Sequence, residues 1–173
     1  VAALVHRVRL GDARNHEAQA ARIYWGRILQ GAARSDKDVL QNILLNYGYS
    51  IVRSEICRSL VVHGFCPSLG IFHKSRQNYF NLADDLIEVF RPLVDYCVFS
   101  RWDLFLSCSE IDAKRILRKL PFALMPYGTD TLSVQVAIRR FVKSLASVFN
   151  HSDQFFAPHF DAEIFDLDFP RKL

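Results

Sequence analysis

The 173-residue sequence contains no run of about 20 consecutive apolar residues, which is the length a helix needs to cross a bilayer. Half of the residues are hydrophobic, but Arg, Lys, Asp or Asn interrupts every apolar stretch. The N-terminal segment contains Arg7 and Arg9 and lacks the small-residue cleavage site of a signal peptide. We therefore expect a soluble, cytoplasmic protein that does not enter a membrane.

The length predicts one domain with its own core, and the missing initial Met predicts a piece of a longer chain.

Cysteine is scarce and shows no metal-binding pattern. The four cysteines are Cys57, Cys66, Cys97 and Cys108, and no two of them form a Cys-x-x-Cys pair. Their spacing matches no zinc motif, although a site formed by Cys57, His63 and Cys66 is an alternative. We expect reduced and mostly buried thiols.

The sequence also lacks an alternating apolar and polar stretch long enough to predict a β-strand. Apolar residues such as Ala21, Tyr24 and Ile28 recur three or four positions apart instead, which is the period of an α-helix. Five segments are expected to be helical, namely 17–29, 39–62, 81–90, 109–120 and 132–149. The first two should be core helices. The predicted fold class is all-α, with a compact helical domain over residues 1–150 and an extended tail over 151–173.

Capping and helix-breaking residues predict where these helices end. Asn81 is expected to cap the third helix, and Pro92 to kink or restart it. Ser109 and Asp112 resemble a capping box that opens a basic amphipathic helix, which Pro121 should stop. Glycine and proline predict loops at 11–12, 31–35, 64–70 and 126–128.

The formal net charge of +4 is compatible with an anionic partner such as nucleic acid. Positive charge is concentrated in two clusters, Lys114, Arg115, Arg118 and Lys119, and then Arg139, Arg140 and Lys143. The end of the chain is aromatic and acidic instead. A surface for an anion is therefore expected in the body of the protein.

The segment LADDLIE contains three carboxylates, Asp84, Asp85 and Glu88. In a helix, offsets of three and four residues place Asp84 or Asp85 on the same face as Glu88. One interpretation is an exposed acidic patch. However, Leu86 and Phe90 would put these acids beside buried surface, where carboxylates need a cation or an arginine. Mg²⁺ or Mn²⁺ would suit them, since both take carboxylate and phosphate oxygens and Mn²⁺ also accepts imidazole.

His73 precedes this helix in the polar segment HKSRQN, beside Lys74 and Arg76. A lone histidine is more often a hydrogen-bonding or surface residue than a metal ligand, and basic loop residues are as readily solvated as bound to phosphate. Glu17 opens the first predicted helix, where a glutamate commonly complements the helix dipole. The residues alone therefore predict a helical domain with a candidate carboxylate and histidine site, and they do not determine a reaction.

Several blocks of the sequence, in their order, resemble the CRISPR spacer-acquisition integrase family, particularly its type II branch. The blocks are NHEAQAARIYW, LLNYGYSIVRSEI and GFCPSLGIFHKSRQNYFNLADDLIEVFRPLVD. The resemblance runs from Ala3 to Phe149. It implies a small N-terminal β-domain followed by a helical catalytic domain, and we expect this sequence to represent the second of these.

The resemblance also implies a catalytic metal site. Its ligands would be Glu17 from the first block, His73 at the end of LGIFH, and an acid of the LADDLIE helix, where Glu88 is favoured and Asp85 is the alternative. The metal would be Mg²⁺ or Mn²⁺. Candidate contacts to DNA phosphates are basic residues from three segments, namely Arg53, Lys74, Arg76, Lys114, Arg115 and Arg118.

The activity implied is DNA integration, in which the 3′-hydroxyl of an incoming fragment attacks a phosphodiester at a repeat boundary. The partners implied are spacer-precursor DNA, CRISPR repeat DNA, a second copy of the chain in a homodimer, and a small CRISPR-associated adaptor protein that bridges two dimers. Two alternatives stay open. One is an endonuclease that hydrolyses branched DNA, and the other is a DNA-binding or assembly module without catalysis.

Overall fold

The computed structural model describes residues 15–29 and 31–149. These residues belong to two compact units, the first ending at Ile43 and the second beginning at Leu44. The described residues are mostly helical, with one short β-hairpin. The prediction of an all-α fold class is confirmed, while the predicted tail lies outside the described residues.

Helix α1, His16–Ile28, is the main element of the first unit. Asn15 precedes it with a left-handed backbone (φ 55°), which asparagine adopts more readily than most residues. The following loop is closed by Asn42, whose amide donates to the carbonyl oxygens of Ala33 (2.8 Å) and Asp36 (2.7 Å). No residue of α1 is buried. The prediction of a core helix is therefore wrong for this segment, whose alanines offer little apolar surface.

Helix α2 extends from Leu40 to Val62 and belongs to the second unit from Leu44 onward. One side of the helix is fully buried, through residues spaced three or four apart such as Val52, Ile56 and Leu60. The predicted core helix over 39–62 is therefore confirmed.

Three helical segments follow the loop after α2, namely α3 (Asn81–Ile87), a 3₁₀ helix (Glu88–Phe90) and α4 (Arg91–Phe99). Pro92 lies in the first turn of α4, where its missing N–H breaks no helical hydrogen bond. The predicted restart at this proline is confirmed. Leu86 and Phe90 are buried, as expected for the apolar side of the segment.

The next elements are short, namely α5 (Trp102–Leu106), α6 (Glu110–Leu117) and a 3₁₀ helix (Leu120–Phe122). The Ser109 hydroxyl accepts a hydrogen bond from the N–H of Asp112 (3.2 Å), so the predicted cap of α6 is confirmed. Helix α6 ends before Leu120, and Pro121 lies within the 3₁₀ helix instead of directly ending α6.

Strands β1 (Leu124–Tyr127) and β2 (Asp130–Ser133) form an antiparallel hairpin with Gly128 in its turn. Gly128 has φ 63°, which suits a tight hairpin turn. The predicted loop at 126–128 is therefore partly strand, because strands this short show no clear alternation in the sequence. Helix α7, Val134–Phe149, follows β2 directly and starts later than predicted.

Helix α7 buries one side against the core of the second unit. Its buried residues are mostly large and apolar, namely Val134, Ala137, Ile138, Phe141, Val142 and Leu145. The ring of Phe141 meets that of Phe90 edge-on, with centroids 5.5 Å apart. This contact joins the 3₁₀ helix between α3 and α4 to α7. Within residues 15–29 and 31–149, none of the helices has the length and hydropathy needed to cross a membrane.

The four cysteines are unpaired and differ in exposure. Cys97 is buried, Cys57 and Cys108 are half-buried, and Cys66 is exposed. The prediction of mostly buried thiols is therefore wrong.

Candidate metal centre

The loop between α2 and α3 is tied to the first turn of α3. The N–H of Leu82 donates to the carbonyl oxygen of Pro67 (2.8 Å), and the Asn81 amide donates to those of Ser68 (3.1 Å) and Ser75 (2.8 Å). Asn81 is the first residue of α3, so its side chain does not cap the helix as predicted. It holds the two ends of the loop together instead.

Asp85 accepts hydrogen bonds from the middle of this loop. Its Oδ2 accepts from the backbone N–H groups of Ile71 (2.5 Å) and Phe72 (3.0 Å), and its Oδ1 accepts from the backbone N–H of His73 (3.0 Å). Nδ1 of the His73 ring lies 2.6 Å from the same Oδ1. The Asp85 carboxylate thus binds three consecutive backbone N–H groups and also the ring of His73.

The environment of Asp85 favours the ionised carboxylate. Burial by itself would raise the pKa of this carboxyl, since the side chain is only 3% exposed. The hydrogen bonds donated by Phe72, His73 and Ile71 outweigh burial and hold the pKa below its ordinary value. We conclude that Asp85 is a charged acceptor inside the loop.

The His73 side chain is 53% exposed, although its Nδ1 is held by Asp85. Nε2 has no hydrogen-bond partner within the described part of the chain. Lys74 and Arg76 follow on the exposed surface of the same loop. The loop therefore presents an imidazole nitrogen and two cations to solvent.

Asp84 faces a different set of partners from Asp85. Arg53 of α2 donates from Nη2 to its Oδ2 (2.7 Å), and the Asn78 amide donates to the same oxygen (2.6 Å). The Arg53 guanidinium also lies over the ring of Phe80, 4.6 Å from the centroid. Arg53, predicted to contact DNA, is thus engaged in joining α2 to the loop and α3.

Glu88 lies on the 3₁₀ helix and is 54% exposed. Its Oε1 accepts from Nε of Arg91 at 2.8 Å. Glu17 lies in the first turn of α1, in the first unit, and is exposed. The two predicted carboxylate ligands are therefore both accessible to solvent.

Among residues 15–29 and 31–149, no three His, Cys, Asp or Glu side chains form a group that could hold a metal ion as they stand. His73 and Asp85 are in direct contact, whereas Glu88 is paired with Arg91. The alternative site formed by Cys57, His63 and Cys66 does not form.

The predicted DNA contacts on α6 also have partners within the chain. Lys114 pairs with Glu110 (2.5 Å) and Arg115 with Asp112 (3.1 Å). Just beyond α6, Arg118 donates from Nε to the hydroxyl of Tyr47 (2.8 Å). These pairs are exposed, and exposed pairs contribute only about 0–1 kcal/mol, so they can open when a phosphate approaches.

Comparison with known proteins identifies the family. The model of the family "CRISPR associated protein Cas1" matches residues 3–103, more than half of the chain. The chain belongs to the Cas1 family. The match contains Glu17, His73, Asp85 and Glu88, and the predicted family resemblance is confirmed.

Individual Cas1 proteins are similar over a larger part of the chain. A "CRISPR-associated endonuclease Cas1" of Neisseria meningitidis serogroup C is 36% identical over 138 residues, which cover 79% of this chain and 42% of that protein. A "CRISPR-associated endonuclease Cas1 1" of Pyrobaculum aerophilum is 31% identical over 149 residues, covering 83% of this chain and 47% of that protein. The chain thus spans less than half the length of these relatives.

The Cas1 chain also has a basic cleft that sequence reasoning recognised only in part. The cleft, of about 760 Å³, lies between α2, the segment after α6, and α7. Its polar lining includes Glu55, Arg58, His63, Arg118 and Arg139. Of these only Arg118 was a predicted DNA contact. The four-residue spacing of Ser54 and Arg58 on α2 is the signal that could have indicated a polar face.

Proposed function

We propose that this chain is the catalytic domain of a CRISPR spacer-acquisition integrase, which inserts short DNA spacers into a repeat array. Membership of the Cas1 family supports the proposal. The contact between His73 and Asp85 is the observation that carries it. Metal-binding histidines commonly donate one ring nitrogen to a carboxylate and keep the other for the metal, and His73 has this arrangement.

The proposed reaction exchanges one phosphodiester for another. The 3′-hydroxyl of the incoming DNA loses its proton as its oxygen bonds to the phosphorus at a repeat boundary. The bond from phosphorus to the leaving 3′-oxygen breaks, and that oxygen takes up a proton. No covalent enzyme intermediate forms. A divalent metal, when bound, would activate the attacking hydroxyl and neutralise charge on the phosphoryl oxygens. Lys74 and Arg76 would bind the DNA backbone beside the reacting phosphate.

We assign the metal, Mg²⁺ or Mn²⁺, to Glu17, His73 and Glu88. Two carboxylates and one imidazole are donors that Mn²⁺ accepts, and Mg²⁺ accepts the carboxylates. Glu88 would have to leave Arg91, and an exposed ion pair of this kind contributes only about 0–1 kcal/mol. Releasing Glu88 from Arg91 therefore costs little compared with the binding of a divalent ion.

The wider setting of the reaction is part of the proposal. The substrates would be spacer-precursor DNA and CRISPR repeat DNA in the cytoplasm. A homodimer, and a small CRISPR-associated adaptor protein that bridges two dimers, would hold both DNA ends in register.

Hydrolysis of branched DNA is the second candidate activity. The names of the relatives from Neisseria meningitidis and Pyrobaculum aerophilum, which call them endonucleases, favour it. The same side chains would serve, with water replacing the 3′-hydroxyl as the nucleophile. A third candidate, a DNA-binding module without catalysis, would need none of these side chains.

Strand transfer on end-labelled branched DNA, with Mn²⁺ or Mg²⁺, separates these functions. The full chain is compared with His73→Ala and Glu88→Ala. Asp130→Ala is the matched control, because Asp130 is an exposed ion-pair partner of an arginine, as Glu88 is.

A joined strand that requires metal, and that disappears only in the His73 and Glu88 variants, supports the integrase. Cut strands without joined strands support the endonuclease. DNA binding without any product, unchanged in His73→Ala, supports the non-catalytic module and contradicts the proposed function.

A further inference from the structure

We infer that Asp85 is a positioning residue that holds His73 for the metal and is not itself a ligand. The inference rests on the proposed function, because it takes His73 to be a ligand. It decides between the two acids of the LADDLIE helix that the sequence leaves open. Glu88 is then the ligand from this helix.

The acceptor capacity of Asp85 is fully used within the chain. Oδ2 accepts from the N–H groups of Ile71 and Phe72, and Oδ1 accepts from the backbone N–H and the ring Nδ1 of His73. An ionised carboxylate offers about four acceptor positions, and all of them are occupied. A metal at Asp85 would have to displace one of these bonds from a side chain that is almost completely covered.

The contact also determines which ring nitrogen of His73 carries the proton. An ionised carboxylate only accepts hydrogen bonds, so the Nδ1 that lies 2.6 Å from Asp85 must be the donor. The neutral ring then keeps its lone pair on Nε2, which is the form that binds a metal. Asp85 thereby selects the ligand-competent tautomer.

The same carboxylate sets the position of the histidine backbone. Three consecutive N–H groups, from Ile71 to His73, converge on it, so the loop and the ring are fixed by one side chain. Asp84 is the adjacent acid of α3, but it contacts Arg53 and Asn78 instead. Asp84→Ala is therefore a control that removes a carboxylate from the same helix turn without touching His73.

The test is the tautomer of His73 in the metal-free full chain, measured by NMR of ¹⁵N-labelled histidine at about pH 8.5, where an ordinary imidazole is neutral. The wild-type chain and Asp84→Ala should have the proton on Nδ1. Asp85→Ala should move it to Nε2 or give a mixture. In a parallel Mn²⁺ titration, Asp85→Ala should lower the affinity by about 10–100-fold, as loss of an outer carboxylate does.

An Nε2–H tautomer in the wild-type chain would overturn the inference, and this measurement needs no variant. An Asp85→Ala chain that binds Mn²⁺ as tightly as wild type, or as weakly as His73→Ala, would overturn it too. If Asp85→Ala does not fold, Asp85→Leu, which keeps the side-chain size but has no acceptor, replaces it in both measurements. A wild-type chain with the Nδ1–H tautomer but no affinity for Mn²⁺ would contradict the proposed metal site alone.

Discussion

A Cβ atom on Gly70 would stand 2.2 Å from the carbonyl oxygen of His73, a separation at which the backbone has to move. It would also stand 2.8 Å from Cβ of Asn81. The loop folds back so tightly because Asp85 and Asn81 hold it from both sides. Gly70→Ala should therefore displace His73 and lower metal-dependent strand joining by about 100-fold, the usual cost of misplacing a catalytic group by about 1 Å.

Gly26→Ala is the control for this substitution, because no heavy atom lies within 4 Å of a Cβ at Gly26 on α1. It should leave joining unchanged and the thermal midpoint equal or slightly higher, since alanine favours a helix. Joining by Gly70→Ala at the wild-type rate would contradict the described contact between Gly70 and His73.

Gly48 and Val94 let α2 and α4 pack closely. A Cβ atom on Gly48 would lie 2.5 Å from Cγ1 of Val94, which is fully buried. Gly48→Ala should therefore lower the free energy of unfolding by about 1–3 kcal/mol, through overpacking. Urea denaturation followed by circular dichroism measures the change.

The double variant Gly48→Ala with Val94→Ala isolates this contact. Removing the Val94 methyls makes room for the new Cβ, so the double variant should be more stable than the sum of the single effects predicts. Strict additivity would mean that the two residues do not touch.

The sequence predicts those parts of the fold that depend on periodic burial. Helix α2 appears within a residue or so of its predicted bounds, because its apolar positions repeat over six turns. The hairpin between Leu124 and Ser133 was missed, since four-residue strands carry too few positions for an alternating pattern. The predicted capping role of Asn81 is wrong because a polar residue at the start of a helix looks like a cap in the sequence. The sequence does not show which groups its side chain binds.

For the candidate site, the resemblance to a known family supplied Glu17, His73 and Glu88, which stay predictions. The partners of Asp85 could not be predicted, because three of its four donors are backbone N–H groups that every sequence has. The ion pair between Arg53 and Asp84 could not be predicted either, because the two residues are far apart in the sequence. Both features depend on how the loop folds back onto α3.

The thiols should react in an order set by exposure and pKa. A hydrogen bond with the Ser68 hydroxyl is the main cause that lowers the pKa of the exposed Cys66, and burial raises the pKa of Cys97 to about 12. A lowered pKa means more thiolate at pH values below the ordinary thiol pKa. Cys66 should therefore be alkylated first at about pH 7.5, while Cys97 reacts only on unfolding. Mass spectrometry after timed iodoacetamide treatment identifies the sites.

Ser68→Ala tests the cause of the Cys66 reactivity. Without the hydroxyl, the pKa of Cys66 should rise and its alkylation at about pH 7.5 should slow, while at about pH 10 both proteins should react at similar rates. An unchanged rate at the lower pH would show that the Ser68 hydroxyl does not activate this thiol.

Lys74 and Arg76 should contribute to DNA binding, because both are exposed beside His73 and have no ion-pair partner within the described residues. The double variant Lys74→Ala with Arg76→Ala should bind DNA more weakly at low salt. The slope of log K against log salt should fall by about 2, one for each lost phosphate contact. Fluorescence anisotropy across a salt series measures both quantities.

Replacing Arg53 should lower the stability of the fold and not the salt dependence of DNA binding, although Arg53 carries the same charge as Lys74 and Arg76. Arg53→Ala removes the partner of Asp84, so it should lower the free energy of unfolding by roughly 1–2 kcal/mol while leaving the salt slope nearly unchanged. A charge-matched double control, Arg27→Ala with Lys37→Ala, removes two exposed cations distant in sequence from the His73 loop. If this control lowers the slope as much as the Lys74 and Arg76 variant does, the effect reflects net charge alone, and the loop is not a specific site of phosphate contact. A reduced slope for Arg53→Ala at unchanged stability would instead mean that Arg53 leaves Asp84 to bind DNA.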